Sequence, residues 1–117
     1  MSVLTPEQGK FLYLLAYMYM QQNKYLQALQ LFRILRLYIP DNMQIALALS
    51  FCLHKVQRSE EALKVLNSID SKQLSVEQLT AYYFINSKVL WDLKKTDESR
   101  EMLHNYLKYR KLDAWTS

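Results

Sequence analysis

The sequence predicts an all-α fold of three helical hairpins, six helices in a single domain spanning residues 1–117. Three observations carry that prediction. The chain has one Gly and two Pro in 117 residues, and hairpin-rich β proteins need such punctuation at every turn. Hydroxyl and Asx residues recur just ahead of apolar runs, where helix caps belong. Segments of matching pattern return about every 34 residues, as the alignment below shows.

The helices follow in order. Thr5-Pro6-Glu7-Gln8 places a cap hydroxyl, a first-turn proline and a Gln three past the cap, which predicts a helix over 6–22. NKYLQALQLFRILRLYIPDN then gives a helix over 25–38 that Pro40 ends, since proline cannot continue the hydrogen-bond ladder. Asp41, with Gln44 three residues on, and Asn42 are the expected caps for 42–56. Ser59 ahead of Glu60 and Glu61 opens 59–69, and Ser75-Val76-Glu77-Gln78 repeats the capping box for 75–93. Thr96 before Asp97 and Glu98 starts the last helix, 97–110. The second helix is apolar nearly all round, which suits a helix with neighbours on several sides.

The hairpins align. Ala28 and Ala62 lie 34 residues apart, within YLQALQLF and SEEALKVL, and Ser99 in TDESREML stands 37 after Ala62. The three extra residues fall in the polar loop SIDSKQLS. Counting from Gly9, residues Leu15, Ala16, Tyr19, Tyr25, Ala28, Phe32 and Pro40 occupy signature positions, and the chain thereby resembles a three-repeat tetratricopeptide (TPR) protein. The repeats cover 9–42, 43–76 and 80–111. The resemblance implies a short right-handed superhelix with a concave groove lined by the first helix of each hairpin. Within a hairpin, two helices approach closely only where both side chains are small. Those crossing pairs are Ala16 with Ala28, Ser50 with Ala62, and Ser87 with Ser99, although only 17 of 117 residues are Ala, Ser or Gly.

The chain also departs from the family pattern. Leu12, Ala46 and Tyr83 stand where its Trp would be, and repeat three puts Asn86 at an aliphatic position and Lys111 at the proline position. Only RKLDAWTS follows Tyr109, too little for a separate solvating helix, so the last hairpin is expected to expose apolar surface.

Catalysis finds no support. Cys52, His54 and His104 are the only soft ligands or nucleophiles, and Cys52 and His54, two apart on a helix, face different ways. Gly9 alone cannot build a phosphate loop, and no His or Cys pair has metal-ligand spacing, so neither catalytic residue, metal nor cofactor is assigned. The net charge of +4 is dispersed; Lys108, Arg110 and Lys111 form the one dense basic cluster. It reads as a solvated helix rather than a nucleic-acid stripe. A lone cysteine, no secretion-signal pattern at MSVLTPEQGK and no stretch of ~20 apolar residues point to a cytoplasmic chain without membrane insertion.

Projecting TPR groove positions gives a partner-binding set: Tyr13, Tyr17 and Met20, then Leu47, Phe51 and His54, then Phe84, Lys88 and Trp91. A second apolar set on the same helices (Leu12, Leu15, Tyr19, Leu49, Leu53, Tyr83 and Leu90) meets the needs of packing. The first set is thus free to receive an apolar partner, to which aromatic rings and flexible Met are suited. Lys10 and Lys88 alone are basic among groove positions, which disfavours an acidic-peptide carboxylate clamp.

Small size, three repeats and an apolar groove resemble the short TPR chaperones of bacterial type III secretion systems. The Y-class subunit is nearest, through LTPEQGKFLYLL at the start and LHNYLKYRK after DESRE at the end, and the G-class needle co-chaperone is next. The resemblance implies a bacterial cytoplasmic holdase, peripheral at the inner membrane through the secretion apparatus. It would bind a small exported protein 1:1, keep it soluble and deliver it to the export gate. The alternative is a generic TPR scaffold in a larger assembly. Self-association is expected through the uncapped last hairpin.

Overall fold

The computed structural model describes the backbone of residues 4–116 and the side chains of residues 4–110. Six helices follow one another: α1 (Pro6–Gln21), α2 (Tyr25–Tyr38), α3 (Met43–Lys55), α4 (Ser59–Asn67), α5 (Val76–Asp92) and α6 (Thr96–Thr116), with one 3-10 turn at Ser71–Gln73. No strand occurs among the described residues. The fold is all-α and TPR-like. The last helix outruns its expected end at residue 110, and the Lys111 side chain of the basic cluster lies outside the described residues.

Local chemistry explains the ends. Thr5 and Ser75 both form full capping boxes, each hydroxyl accepting from the backbone N–H three residues on while the Gln side chain reaches back to the cap N–H. Asn42, not Asp41, caps α3: its Oδ1 accepts from Ile45 N at 3.0 Å. Ser59 and Thr96 are already helical, so their hydroxyls do not occupy the cap position.

The turn inside every hairpin is the same motif. Asn23, Gln57 and Lys94 take positive φ of 61°, 64° and 64°, and they sit at equivalent repeat positions. Around them Lys24, Arg58 and Lys95 N–H groups donate to Tyr19, Leu53 and Leu90 carbonyls at 2.8, 2.8 and 2.9 Å. The left-handed residues themselves donate to Met20, His54 and Trp91 at 3.0 Å. This is the Schellman closure, executed three times without glycine.

All six small residues at the hairpin crossings are buried: Ala16, Ala28, Ser50 and Ala62 are fully inaccessible, and Ser87 and Ser99 are 6% exposed. In the third hairpin the crossing is also hydrogen-bonded, Ser99 Oγ donating to the Ser87 carbonyl at 2.7 Å. The core runs through α3, which packs on α2, α4 and α5. Every residue from Ile45 to Ser50 is buried, as expected for a helix with neighbours on all sides. Helix α1 packs on α2 but approaches α3 only loosely, which leaves space between them. On the outer surface Arg33 and Glu61 tie α2 to α4 at 2.6 Å, an exposed pair that contributes little more than ~1 kcal/mol.

Candidate partner-binding groove

The space between the first helices of the hairpins is an apolar groove with two cavities. The inner one, about 250 Å³, is lined by Tyr17 and Met20 of α1, Gln44, Leu47, Ala48 and Phe51 of α3, and Ala81, Phe84 and Ile85 of α5. Three first helices thus converge on one concavity, with five of the nine expected groove residues around it. Phe51 is held edge-on by Tyr25 at 5.8 Å between ring centres, and the Lys55 ammonium lies 5.4 Å from its ring centre. Tyr17 stands edge-on to buried Phe32 at 5.3 Å. Phe84 is braced by Tyr106 of α6 at 5.0 Å, with the Lys88 ammonium 5.5 Å away. Rings fixed by other rings present area at small entropic cost.

A polar thread crosses the groove. Gln44 donates to the Tyr17 hydroxyl at 3.0 Å, and Gln78 donates to Gln44 Oε1 at 3.2 Å. This chain joins α1, α3 and α5 at one edge and fixes their spacing. Its members escape a search for apolar and charged groove residues because glutamine signals neither.

The larger cavity, about 700 Å³, lies at the amino end of α1 and was not foreseen. Pro6, Gly9, Lys10, Tyr13 and Leu14 form one wall, with Leu4 and Thr5 ahead of them; Leu35, Tyr38 and Ile39 at the end of α2, Asn42 and Ile45 of α3 form the rest. Tyr13 faces this space rather than the inner cavity. The Tyr13 and Tyr17 rings, 4.8 Å apart, stand where the two volumes meet. Burial and the neighbouring Tyr17 hydroxyl push the Tyr13 phenol up to about 12, so it stays a neutral donor at physiological pH. The cavity combines residues from the end of α2 with the start of α1, a juxtaposition that periodicity within one helix does not reveal.

Leu47 lies beneath the inner cavity, and His54, Lys88 and Trp91 sit outside its lining. Leu47 is 3% exposed, so it forms floor and core rather than open contact surface. His54 turns aside to α5, its Nδ1 3.0 Å from Asp92 Oδ2 but without hydrogen-bond geometry. Its pKa is lowered, chiefly because burial penalises the cation, with Asp92 opposing that effect. Lys88 is exposed beside Phe84, and Trp91 is 58% exposed beyond the cavity lining. Cys52 is fully buried and its thiol is pushed up to about 12 by desolvation, the profile of an inert core residue. Among the described residues no three His, Cys, Asp or Glu side chains gather where a metal ion could be held. No helix there is long and apolar enough to cross a membrane.

A model of the SusR N-terminal TPR domain matches residues 40–114, well over half of the chain. The chain belongs to that family. The match begins at Pro40 and runs through α3 to α6 of this TPR protein, so the two later hairpins carry it, whereas the sequence signature is fullest in the first. No curated protein and no solved structure matches the chain. Membership in a TPR family, with half-buried rings lining the groove, fits a protein–protein interaction module.

Proposed function

We propose that this TPR chain is a type III secretion chaperone or adaptor, which binds an apolar amphipathic segment of one small exported protein in the groove. The single supporting observation is the inner cavity, where Tyr17, Met20, Phe51 and Phe84 from three helices face one opening. The resemblance of LTPEQGKFLYLL and LHNYLKYRK to the Y class directs the reading toward secretion. The chemistry is equilibrium sequestration: an aggregation-prone segment is held by mass action and released when a tighter acceptor, such as an export gate, competes. Aromatic anchors supply most of the affinity in such contacts. No nucleotide is consumed in this scheme.

Purification of the tagged chain from its native cytoplasm, with sizing of the complex, tests the proposal. The expected result is one small partner in a 1:1 complex, lost on Phe51→Glu with helicity intact. Retention of that partner by Phe51→Glu, or several weak partners of unrelated size, contradicts it. Lys108→Glu with Lys111→Glu leaves the complex unchanged.

A further inference from the structure

The two flanks of the inner groove differ in how far their polar groups are satisfied. At the amino ends of α3 and α5, Gln78 donates to Gln44 at 3.2 Å and Gln44 donates to the Tyr17 hydroxyl at 3.0 Å. At the carboxyl ends stand Lys55, the last residue of α3, and Lys88, one turn before the end of α5. Their ammoniums lie 5.4 and 5.5 Å from the ring centres of Phe51 and Phe84, two rings that line the inner cavity. Both lysines are exposed, and among the described residues neither forms an ion pair. Asp92, one turn after Lys88, is engaged elsewhere: it accepts from Ser59 at 3.2 Å and lies 3.0 Å from His54 Nδ1. The two ammoniums share one flank, since both add to the lowering of the His54 pKa that burial begins and Asp92 opposes.

We propose that the groove takes an acidic amphipathic segment, with an Asp or Glu one helical turn from the apolar side chain that enters the inner cavity, an inference that rests on the groove reading and adds the partner's charge to it. The cavity, about 250 Å³, falls below the ~300–1,000 Å³ of small-ligand pockets and suits side chains of a larger partner. Covering it strips water from the rim. A wholly apolar segment would leave two ammoniums partly desolvated with no acceptor, which costs free energy. A carboxylate supplies both the acceptor and the opposite charge. The spacing fits a helix. Side chains four residues apart are separated by about 5–6 Å, matching the 5.4 and 5.5 Å between ring centre and ammonium. Lysines offer point charges, without the planar fork that orients a chain-end carboxylate. A side-chain carboxylate beside an apolar anchor is therefore the match. The acidic side of the segment faces the carboxyl ends of α3 and α5, and its neutral side faces the Gln44 and Gln78 amides.

Fluorescence anisotropy of labelled helical peptides against the full chain tests this. Two peptides carry Leu at i, i+3, i+4 and i+7; one has Glu, the other Gln, one turn from the central Leu pair. The Glu peptide is expected to bind about 10-fold tighter. Lys55→Gln with Lys88→Gln is expected to erase that difference and to leave Gln-peptide affinity within about 2-fold. The helical spectrum is expected to persist, since neither lysine is buried or paired. A third peptide, bearing Gln but ending in a free carboxylate at that position, is expected to bind no tighter than the Gln peptide. Tighter binding would assign the rim to a chain end and overturn the proposal. Equal affinity for Glu and Gln peptides, or a Glu preference that survives the double variant, overturns the proposal and leaves the groove reading standing. Binding of neither peptide, or binding untouched by Phe51→Glu, overturns both.

Discussion

Helices α1 and α3 occupy the same place in successive hairpins and are comparably apolar, yet they end in opposite environments. From Ile45 to Ser50 every residue of α3 is buried, whereas α1 buries Ala16 alone. The difference lies in what surrounds each helix. Among the described residues α3 has a hairpin on either side, and α1 has one only on its carboxyl-terminal side. In a stacked array the burial of a residue depends on its repeat position and on whether a neighbour exists to cover it. The apolar side chains that α1 leaves over, along the groove and on its outer stripe, are surface rather than core.

Breaking the comparison begins with paired truncations. Phe32→Ala, at a fully buried site beneath Tyr17, is expected to lower unfolding free energy by about 3–5 kcal/mol in a urea titration. Phe11→Ala, at a 64% exposed site, is expected to cost the dilute protein less than about 0.5 kcal/mol in the same titration. Similar losses would mean that α1 is as enclosed as α3.

The crossings sharpen it further. Ser99→Ala removes the bond to the Ser87 carbonyl and leaves that buried acceptor short of a partner, an expected loss of about 1–2 kcal/mol by thermal or urea melting. Smaller and opposite in sign are the turn variants. Gln57→Gly and Lys94→Gly relieve a left-handed backbone that disfavours Cβ, and each is expected to raise stability by about 0.5–1 kcal/mol. Asn23→Gly gains less, because Asn tolerates that conformation. If Gly lowers stability at all three, lost unfolded-chain entropy outweighs the strain.

The mildest effect follows from His54. Its folded pKa lies below the ordinary 6.5, so the neutral ring is favoured in the native state. The resulting stability is fully present above pH ~6.5 and is lost as pH falls toward and through the folded value. Melting profiles between pH 7.5 and 5 are expected to decline more steeply for wild type than for His54→Gln. An equal or shallower wild-type slope would show that Asp92 outweighs burial.

Much of this architecture was legible from residue types. Thr5 and Ser75 announce their capping boxes because hydroxyl and glutamine stand at the spacing the reciprocal bonds need. The six small crossing residues are readable because only close backbone approach demands them in register. Of the two expected caps of α3, Asn42 takes the position and Asp41 does not, since adjacent Asx residues are equivalent in composition and only backbone geometry chooses between them. The three Schellman turns are invisible in Asn23, Gln57 and Lys94, because the usual glycine signal is missing and hydrogen bonding alone enforces the conformation. Repeat register puts Tyr17, Met20, Phe51 and Phe84 on one concave face, where they line the inner cavity, whereas His54 lies toward α5 beside Asp92. The outer cavity depends on how loosely α1 meets α3, a tertiary spacing with no local marker.

The central claim is that rings on the inner curve of the stack are surface for a partner rather than support for the fold. Circular dichroism and partner co-purification on Phe51→Glu, measured side by side, test it most directly. The account predicts an unchanged helical spectrum and melting cooperativity with the partner lost. A collapse of helicity, or a variant that keeps its partner, would contradict it.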